Sequence, residues 1–576
     1  MNQEKRIIVT LGTCGISAGA AKLAEELKTN VAVKTTSCIG LCSLEPTVFV
    51  EHGNKITAFS DVRPGTKDVT SLVKFHKEGI LDTAFGKKVI YDGDKTKINE
   101  VLFKGQKRIV LRNAGWVDPL DIDDYISRGG YSFKATKEQI IDVIKNSGLR
   151  GRGGAGFPTY KKWEILAAQR SDEKYIICNG DEGDPGAFMD RAVLEGDPHS
   201  VLEGMQIACF ATGATKCFIY VRAEYPLAVR TIKQAIKDAT TRGFLPVPVE
   251  VREGAGAFVC GEETALIASI EGRRGMPKMR PPYPAESGLW GKPTIINNVE
   301  TFAAVPWICA HPGEYEKTGY KNSRGTKVFA LAGKIKNGGL VEVPFGLTLR
   351  ELIYNVGGGV TGTGVFRAVQ LGGPSGGCLP DLKLDLPIDY EALKESGAIV
   401  GSGGAVIMDD TSCMVDIARF FLSFTSKESC GKCTFCRVGT TRMLNILDKI
   451  SKGTAVQKDL DTLNELSDAV SKLSLCGLGQ TAPNPVLTTL RYFAEEYKEH
   501  IEDKKCKTGI CSALFVYKID EQKCVGCMVC KKVCPVDAIF ETQGPKNKKI
   551  CNIDQTKCVK CGQCFKVCKF TSVLKG

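Results

Sequence analysis

Apolar residues recur along the chain at two spacings, one typical of helices and one of strands. Residues 20–27 and 137–147 place apolar side chains every three or four positions, which predicts amphipathic helices. Short apolar runs at 46–50 and 175–178 predict buried strands. Alternating apolar runs from 325 to 400, separated by glycine-rich turns, predict a small β-rich module. The two patterns together predict an α/β protein.

Length and composition limit the class of protein. A chain of 576 residues predicts about three to five domains rather than one core. Hydrophobic residues make up 43% of the chain and the mean hydropathy is −0.08, which is typical of a globular protein. No run approaches the ~18 apolar residues of a membrane helix, and the first residues lack the apolar core of a signal peptide. We therefore expect a cytoplasmic protein without membrane insertion, whose cysteines bind metal rather than form disulfides.

Cysteine is concentrated towards the carboxyl end, where 15 of the 25 Cys lie at or after Cys430. This region contains two copies of C-x2-C-x2-C-x3-C, the bacterial ferredoxin run in which the fourth Cys of each copy ligates the other copy's cluster. The runs predict two 4Fe-4S clusters, one on Cys524, Cys527, Cys530 and Cys568, and one on Cys534, Cys558, Cys561 and Cys564. The alternative, a pair of zinc knuckles, is disfavoured because zinc motifs pair two ligands and then leave a long gap.

A third cysteine motif stands upstream, in Cys430, Cys433 and Cys436, with a lone Cys476 further along the chain. Apolar residues at helical spacing between them predict a helical bundle that returns Cys476 to the first three. We predict a third 4Fe-4S cluster on these four cysteines. A zinc half-site is the alternative. The neighbouring ferredoxin runs favour the cluster, because clusters conduct electrons only in chains.

The charge of the carboxyl end has two interpretations. From residue 501 onward there are 15 Lys and 7 Asp plus Glu, so this tail carries +8 of the chain's net +12. A lysine-rich tail suggests nucleic acid. Two 4Fe-4S clusters with their thiolates bring negative charge that the lysines offset, and aromatic residues are sparse there. We therefore predict no nucleic-acid partner.

A glycine loop follows the helix predicted at 137–147. Residues 151–156 match G-x-G-x-x-G, although a Rossmann loop would follow a strand rather than a helix. Closely spaced glycines let backbone N–H groups approach a phosphate, and a tight packing turn is the alternative. The strand at 175–178 then runs into a polar, glycine-rich loop at 179–186, which favours a binding loop over a solvated turn.

These motifs together resemble a known family. SGLRGRGGAGFPT, CNGDEGDPG, GEETAL, RPPYPAESGLWGKPT, NNVET and SCGKCTFCR occur in one order and resemble the NADH-oxidising flavoprotein subunit of respiratory complex I and its soluble relatives. The resemblance spans roughly residues 110 to 500. With a thioredoxin-like segment in front and a double-cluster ferredoxin behind, the chain is most similar to the diaphorase subunits of multimeric, often electron-bifurcating, NAD-dependent iron-iron hydrogenases.

The resemblance implies two organic cofactors, FMN and NAD(H) or NADP(H). The residues it assigns to FMN are Gly151, Gly153, Lys162, Asn179, Asp181, Glu182, Asn297, Asn298 and Thr301. Those it assigns to the nicotinamide dinucleotide are Phe157, Asp184, Glu263, Arg280 and Tyr283, and Gly261 and Glu262 lie in the same cofactor-binding motif. Many relatives carry Glu, Lys and Phe where this chain has Asp184, Arg280 and Tyr283. The choice between NAD and NADP stays open.

The function that the resemblance implies is electron transfer between nicotinamide, FMN and 4Fe-4S clusters. Hydride transfer to FMN needs no acid or base from the protein, so no catalytic side chain is predicted. The expected partners are a hydrogenase catalytic subunit, a small thioredoxin-like 2Fe-2S subunit and ferredoxin. One alternative is the same diaphorase serving a formate dehydrogenase or a complex I-like enzyme. Another is an electron-carrying adaptor without dinucleotide binding.

The predicted fold class is an α/β multidomain protein with seven segments. These are a thioredoxin-like domain (1–85), a linker (86–125), a Rossmann-like FMN and NADH core (126–322), a ubiquitin-like β-grasp module of the SLBB type (323–400), a helical bundle with a 4Fe-4S cluster (401–499), a connector (500–521) and a ferredoxin with two 4Fe-4S clusters (522–576).

The thioredoxin-like segment contains Cys14, Cys38 and Cys42, one fewer than the four Cys that a 2Fe-2S cluster normally takes. The absent ligand would fall near Thr10 or at Gly19. We favour a domain kept for docking, with the cluster lost or bound differently. A structural domain with three buried thiols is the alternative.

The connector carries His500, Cys506 and Cys511. Three nitrogen or sulfur ligands so close together predict a zinc site that braces the tail. Cys551 is our candidate for the fourth ligand.

Overall fold

The computed structural model describes residues 5–576, apart from the side chain of Lys546. Residues 1–4, which begin the predicted thioredoxin-like segment, lie outside the described residues. Within the part described, no helix is both long and apolar enough to cross a membrane. The chain is a mixed α/β protein of several domains, as predicted.

The first domain is a five-stranded mixed sheet with helices on it. Its strands are β1 (Lys5–Thr10), β2 (Val33–Thr36), β3 (Val48–His52), β4 (Lys55–Phe59) and β5 (Val89–Asp94), and its helices are α1 (Thr13–Ser17), α2 (Ala20–Lys28), α3 (Lys67–Glu78), α4 (Thr83–Gly86) and α5 (Ile98–Leu102). The strand order is β2-β1-β3-β4-β5, with β1 parallel to β2 and antiparallel to β3. The apolar face of α2 packs on this sheet through Leu23 and Leu27.

The predicted linker 86–125 is wrong in its first part, because β5 pairs with β4 and closes the sheet. β5 is a half-exposed edge strand with polar residues at its end, so its sequence lacks the apolar run of a buried strand. After α5, only the short helix α6 (Ile122–Ile126) interrupts the connection to the second domain.

The second domain is a parallel sheet flanked by helices. Its strands are β6 (Tyr175–Gly180), β7 (Lys216–Arg222), β8 (Val249–Gly254) and β9 (Thr294–Asn298), and its helices are α7 (Lys137–Ser147), α8 (Thr159–Ala168), α9 (Met189–Gly196), α10 (Pro198–Thr212), α11 (Pro226–Thr241), α12 (Glu263–Ile270) and α13 (Val299–Ala310). The order β8-β7-β6-β9 means that the chain moves outward from β6 and then returns to its other side. In such sheets ligands bind where the strand order reverses, here at the carboxyl ends of β6 and β9.

The third domain is built on a five-stranded sheet. Its elements are β10 (Gly319–Tyr320), β11 (Ser323–Arg324), β12 (Thr326–Gly333), β13 (Gly339–Pro344), β14 (Phe366–Leu371), β15 (Gly377–Pro380), α14 (Tyr390–Glu395) and β16 (Gly404–Asp409), with β10 and β11 forming a separate hairpin. The strand order of the sheet is β13-β12-β16-β14-β15. The central β16 is parallel to β12, so the predicted end of this module at 400 is too early. A glycine-rich turn precedes β16, and its partner β12 lies far back in the sequence, so no local signal joins them.

The remaining domains are a helical bundle and a small two-sheet tail. The bundle comprises α15 (Met414–Lys427), α16 (Thr440–Ser451), α17 (Gln457–Leu473), α18 (Gly477–Thr481), α19 (Asn484–Tyr492) and α20 (Ala494–Ile501). The tail comprises β17 (Tyr517–Ile519), α21 (Val529–Lys532), β18 (Ile539–Gln543), β19 (Lys549–Ile553), α22 (Gln563–Val567) and β20 (Val573–Lys575). Because β17 pairs with β20, the tail domain begins before the predicted residue 522.

Candidate functional site

A cavity of about 600 Å³ opens at the carboxyl ends of β6 and β9. The predicted cofactor residues in its wall are Gly153, Asn179, Asp181, Glu182, Asp184, Gly261, Glu262 and Asn298. They come from the glycine loop, from the carboxyl ends of β6 and β9, from the loop after β6, and from the turn before α12. The place is the one that the strand order predicts for a ligand.

The glycine loop in this wall has no room for side chains. A Cβ on Gly154 would lie 3.2 Å from the carbonyl carbon of Gly401, and the φ of Gly154 is +122°. A Cβ on Gly153 would lie 3.2 Å from the Cβ of Asn298. Glycine is therefore required here for close packing as well as for backbone conformation.

Asp181 presents unsatisfied acceptors to this cavity. Both of its carboxylate oxygens are buried and have no hydrogen-bond partner in the protein. Burial raises the pKa of Asp181 to about 7, although the Arg222 guanidinium opposes the shift. A buried acceptor without a donor is costly, so this side chain is suited to a ligand that brings hydroxyl or N–H groups.

Asp184 also lies in the cavity wall, and it contacts the third domain. Burial raises the pKa of its carboxyl to about 6, against a hydrogen bond donated by the Ser402 hydroxyl. Ser402 and the adjoining Gly401 line the same cavity. The third domain therefore closes one side of the site.

Lys162, Glu263 and Arg280 form a chain of charges beside the cavity rather than in its wall. Lys162 Nζ lies 3.1 Å from Glu263 Oε2 and donates to the carbonyl oxygen of Ile296 at 3.0 Å. Arg280 donates to Glu263 Oε1 at 2.6 Å. Burial alone would raise the pKa of Glu263, but the two cations outweigh it and hold that pKa below its usual value.

The other predicted cofactor residues position the loops or lie at the surface. The Arg152 backbone N–H, next to Gly151, donates to Thr301 Oγ1 at 2.9 Å, and Asn297 accepts from Trp163 Nε1 at 3.2 Å. Phe157 is 44% exposed and Tyr283 is 54% exposed. Both aromatic side chains are thus partly exposed, and the Arg280 guanidinium lies 6.0 Å from the ring centroid of Tyr283.

The sequence did not indicate several residues of the cavity wall. Asp190 is buried there and accepts a hydrogen bond from Asn298 at 2.5 Å. Tyr390 and Lys394 reach the wall from the third domain. Asp190 lies at the start of a helix outside every motif, whereas the serine and glycines at 401–404 are a visible turn signal that could have pointed here.

The four cysteines of the third predicted cluster line one small cavity. Cys430, Cys433, Cys436 and Cys476 are all in its wall. Burial raises the pKa of Cys436 to about 11, so a bound cation is needed to hold this thiol as a thiolate near neutral pH.

Two apolar side chains join this cavity to the larger one. Val259 and Leu478 line both. Leu478 lies two positions after the predicted ligand Cys476, and Val259 lies two positions before Gly261 in the cavity wall. At this point the two cavities are therefore separated only by the side chains of Val259 and Leu478.

The tail brings the second ferredoxin set together. Cys534, Cys558, Cys561 and Cys564 line one cavity, including the fourth Cys of the opposite run. For the other set, Cys530 lies within electrostatic range of Cys524 and Cys527. Cys524, Cys530 and Cys568 also belong to one apolar cluster.

The predicted zinc residues converge, but with a different fourth member. The ligand atoms of Cys413, His500, Cys506 and Cys511 all lie within 4.8 Å of one another. His500 Nε2 is 3.5 Å from Cys413 Sγ and 3.4 Å from Cys511 Sγ, and the two sulfurs are 3.8 Å apart. Our candidate Cys551 is wrong, because it is buried in the tail, 3.4 Å from Cys530 Sγ.

The geometry defines a class of protein before any comparison. A parallel sheet with a glycine-lined, acceptor-rich cavity next to a four-cysteine cavity is typical of an oxidoreductase that couples an organic cofactor to iron-sulfur clusters. Comparison with known families agrees. Residues 144–307 match the Nuo51 FMN-binding domain, residues 416–500 the NADH-ubiquinone oxidoreductase-F iron-sulfur binding region, and residues 517–540 a 4Fe-4S binding domain.

Relatives that align with about two thirds or more of the chain show its family. The chain is 54% identical to the NADP-reducing hydrogenase subunit HndC of Solidesulfovibrio fructosivorans over 76% of this chain and 93% of that protein. It is 41% identical to the F subunit of the NADH-quinone oxidoreductase of Aquifex aeolicus over 66% of this chain and 91% of that protein. A solved NAD+-reducing [NiFe]-hydrogenase structure aligns with a TM-score of 0.63 at 30% identity, covering 86% of this chain and 84% of its own. The chain belongs to the family of flavoprotein subunits that contains HndC and its NADH-quinone oxidoreductase counterparts, which confirms the resemblance.

Proposed function

We propose that the chain is the NAD(P)H-oxidising or NAD(P)-reducing flavoprotein subunit of a multisubunit hydrogenase. The observation that carries the proposal is the wall of Val259 and Leu478 shared by the 600 Å³ cavity and the four-cysteine cavity. An organic redox cofactor in the first cavity and a cluster in the second would be separated by two side chains.

The residues present fit FMN. The unpartnered Asp181 oxygens can accept from ribityl hydroxyls or the flavin N–H, and Asn179 and Asn298 add polar groups to the same wall. A side chain on Gly153 or Gly154 would crowd Asn298 or Gly401, and glycine at these positions lets the backbone approach a phosphate. When bound, FMN supplies the conversion between two-electron hydride chemistry and one-electron transfer. The protein's part is to fix the flavin and exclude water from it.

We propose that the dinucleotide binds beside the flavin, through residues other than those assigned to FMN. We assign it to the side where Arg280 and Glu263 pair and where Phe157 and Tyr283 are exposed, because aromatic rings free at a surface can stack on adenine. Asp184, held by Ser402 in the cavity wall, can accept hydrogen bonds from the ligand.

Anaerobic titration with NADH and with NADPH tests the proposal. We expect flavin and cluster absorbance to bleach together in the wild-type chain. In Cys436→Ser, which removes a ligand of the cluster nearest the flavin, the flavin should bleach while the ferredoxin clusters stay oxidised. An FMN-loaded chain whose spectrum neither nucleotide changes would refute the proposal and support the adaptor.

The tail and the first domain are proposed to meet the partners. We assign the first domain to the thioredoxin-like fold and residues 323–409 to a β-grasp module, and the strand orders with the parallel pairs β1–β2 and β12–β16 support these assignments. A hydrogenase catalytic subunit, a small 2Fe-2S subunit and ferredoxin are the proposed partners, since HndC is by name a hydrogenase subunit. Co-purification from the native host tests this assignment.

We also propose zinc at Cys413, His500, Cys506 and Cys511. Tetrahedral zinc places two sulfurs about 3.8 Å apart and a sulfur and nitrogen about 3.6 Å apart. The measured separations of 3.8, 3.5 and 3.4 Å agree. His500 Nδ1 lies 2.7 Å from the carbonyl oxygen of Glu496, so a proton on Nδ1 leaves Nε2 free for metal.

A further inference from the structure

One cysteine of the tail is left over when the two predicted ferredoxin sets are assigned. Residues 522–576 contain nine cysteines, and eight of them belong to those sets. The ninth, Cys551, lies in β19 and is 1% exposed. The four residues that converge at His500 do not include it. Its role is therefore unassigned.

The side chain of Cys551 contacts sulfur atoms around the first ferredoxin set, which is Cys524, Cys527, Cys530 and Cys568. Its Sγ lies 3.4 Å from Cys530 Sγ and 3.4 Å from the Sδ of Met528. Its backbone N–H donates to Cys524 Sγ, also at 3.4 Å. The strand β19 therefore lies against this ligand set, with the Cys551 thiol beside Cys530.

The separation of the two thiols suits ligands of one metal ion. Two sulfurs on a tetrahedral ion with bonds of about 2.3 Å lie about 3.8 Å apart. The 3.4 Å between Cys551 Sγ and Cys530 Sγ is close to that value. Among the described residues only the four groups at His500 converge within 4.8 Å, so the tail sulfurs are spaced for a cluster rather than for a single ion. Cys551 can therefore reach the iron that Cys530 is predicted to hold.

The second ferredoxin set, which is Cys534, Cys558, Cys561 and Cys564, offers a comparison. The described wall of its cavity contains those four cysteines and no other. Other side chains, among them Tyr517, Ile539 and Ile553, take the remaining places. Since the two runs are near-copies and only one has a free thiol beside it, packing around such a cluster does not require that thiol.

We propose that Cys551 is a reserve ligand of the first ferredoxin cluster and takes the iron of Cys530 when the bond to Cys530 is lost. The exchange breaks the bond from iron to Cys530 Sγ and forms one to Cys551 Sγ. The proton of the Cys551 thiol passes to the released Cys530 sulfur, so no electron is transferred and no oxidant or reductant is needed. The inference rests on the predicted ferredoxin clusters and is independent of the dinucleotide chemistry.

The test is the number of irons that the full chain holds in 4Fe-4S clusters, measured by iron content and by electron paramagnetic resonance after reduction with dithionite. Cys530→Ala should retain as many irons as the wild-type chain, because Cys551 replaces the deleted thiolate. The double variant Cys530→Ala/Cys551→Ala should hold about one to four irons fewer.

Cys564→Ala is the matched control. Cys564 is the third cysteine of its run, as Cys530 is of the other, but the described wall of its cavity has no spare thiol. Cys564→Ala should therefore lose irons as the double variant does. Cys551→Val fills the space of the thiol without supplying a sulfur. It should keep the wild-type iron content, but it should release iron to a chelator sooner than wild type after mild oxidation with ferricyanide.

Several results would overturn the reserve ligand. One is a Cys530→Ala chain with as few irons as Cys564→Ala, and another is a double variant with the iron content of Cys530→Ala. Loss of iron from Cys551→Val as prepared would make Cys551 an ordinary structural residue. Equal rates of iron release from Cys551→Val and wild type overturn the inference even where the alanine variants do not fold. A wild-type chain with only about four irons instead overturns the predicted ferredoxin clusters.

Discussion

The zinc proposal makes a sharp prediction for Cys413. This residue precedes α15, whereas the other three ligands lie at the end of α20 and in the connector to the tail. Cys413→Ser removes one of four ligands. Structural zinc contributes about 10–16 kcal/mol in zinc-finger peptides, so one ligand corresponds to about 3–4 kcal/mol, or a ~10²–10³-fold weaker affinity.

The assay is metal content after dialysis against a mild chelator. The wild-type chain should retain about one zinc, and Cys413→Ser should lose it while keeping its iron. Because the metal ties the connector to the bundle, the same variant should be cut by protease within 502–516 sooner than wild type.

Two control variants test whether the loss of zinc is specific to Cys413. Cys378→Ser changes another buried thiol, whose S–H donates to Gln370 Oε1, and should keep its zinc. Cys551→Ser should keep its zinc too, because Cys551 lies beside Cys530 in the tail. Stoichiometric zinc in Cys413→Ser, or its loss from Cys551→Ser, would refute the ligand set.

Three further predictions follow from the sites. Burial raises the pKa of Asp181 to about 7, against 3.8 for an ordinary Asp, so this group favours the folded apoprotein below pH ~4. That stabilisation, at most about 4 kcal/mol, is lost as pH rises through 7. Asp181→Asn should therefore flatten the pH dependence of the apoprotein's thermal midpoint between pH 5 and 8, and equal slopes for the two proteins would contradict this. Arg280→Ala, which leaves Glu263 only its contact with Lys162, should raise KM for the dinucleotide about tenfold and leave the FMN content unchanged. Steady-state kinetics and flavin absorbance measure the two quantities, and loss of FMN would contradict the prediction. Cys551→Ala, which removes a thiol 3.4 Å from the predicted ligand Cys530, should shift the reduction potential of that cluster in a redox titration, because contacts to ligand sulfur tune it, and an unchanged potential would count against the contact.

The sequence predicted best what is local in the chain. Three cysteines within seven positions, or glycines within six, specify a turn by themselves, and the structure gathers those motifs around cavities. Pairing across the fold was also predictable where a rule links distant positions. The fourth Cys of one ferredoxin run lines the cavity of the other, as the pattern of paired runs implies.

Residues that act alone and arrive from another domain could not be predicted. Cys413 is a lone cysteine 87 positions from His500, and nothing near it indicates a metal. Ser402 approaches Asp184 across 218 positions.

The coupling between flavin and cluster depends on how the shared wall is built. Leu478 belongs to α18, which begins directly after the predicted ligand Cys476, and Val259 belongs to the turn that carries Gly261 into the proposed flavin cavity. Each wall residue is therefore tied by two peptide units to the site on its own side. The wall cannot widen without moving Cys476 or Gly261. Burial of Val259 and the packing of Cys430 and Leu478 on the same apolar cluster oppose such movement, so the separation of the two redox centres is set by the core of the protein rather than by a mobile loop.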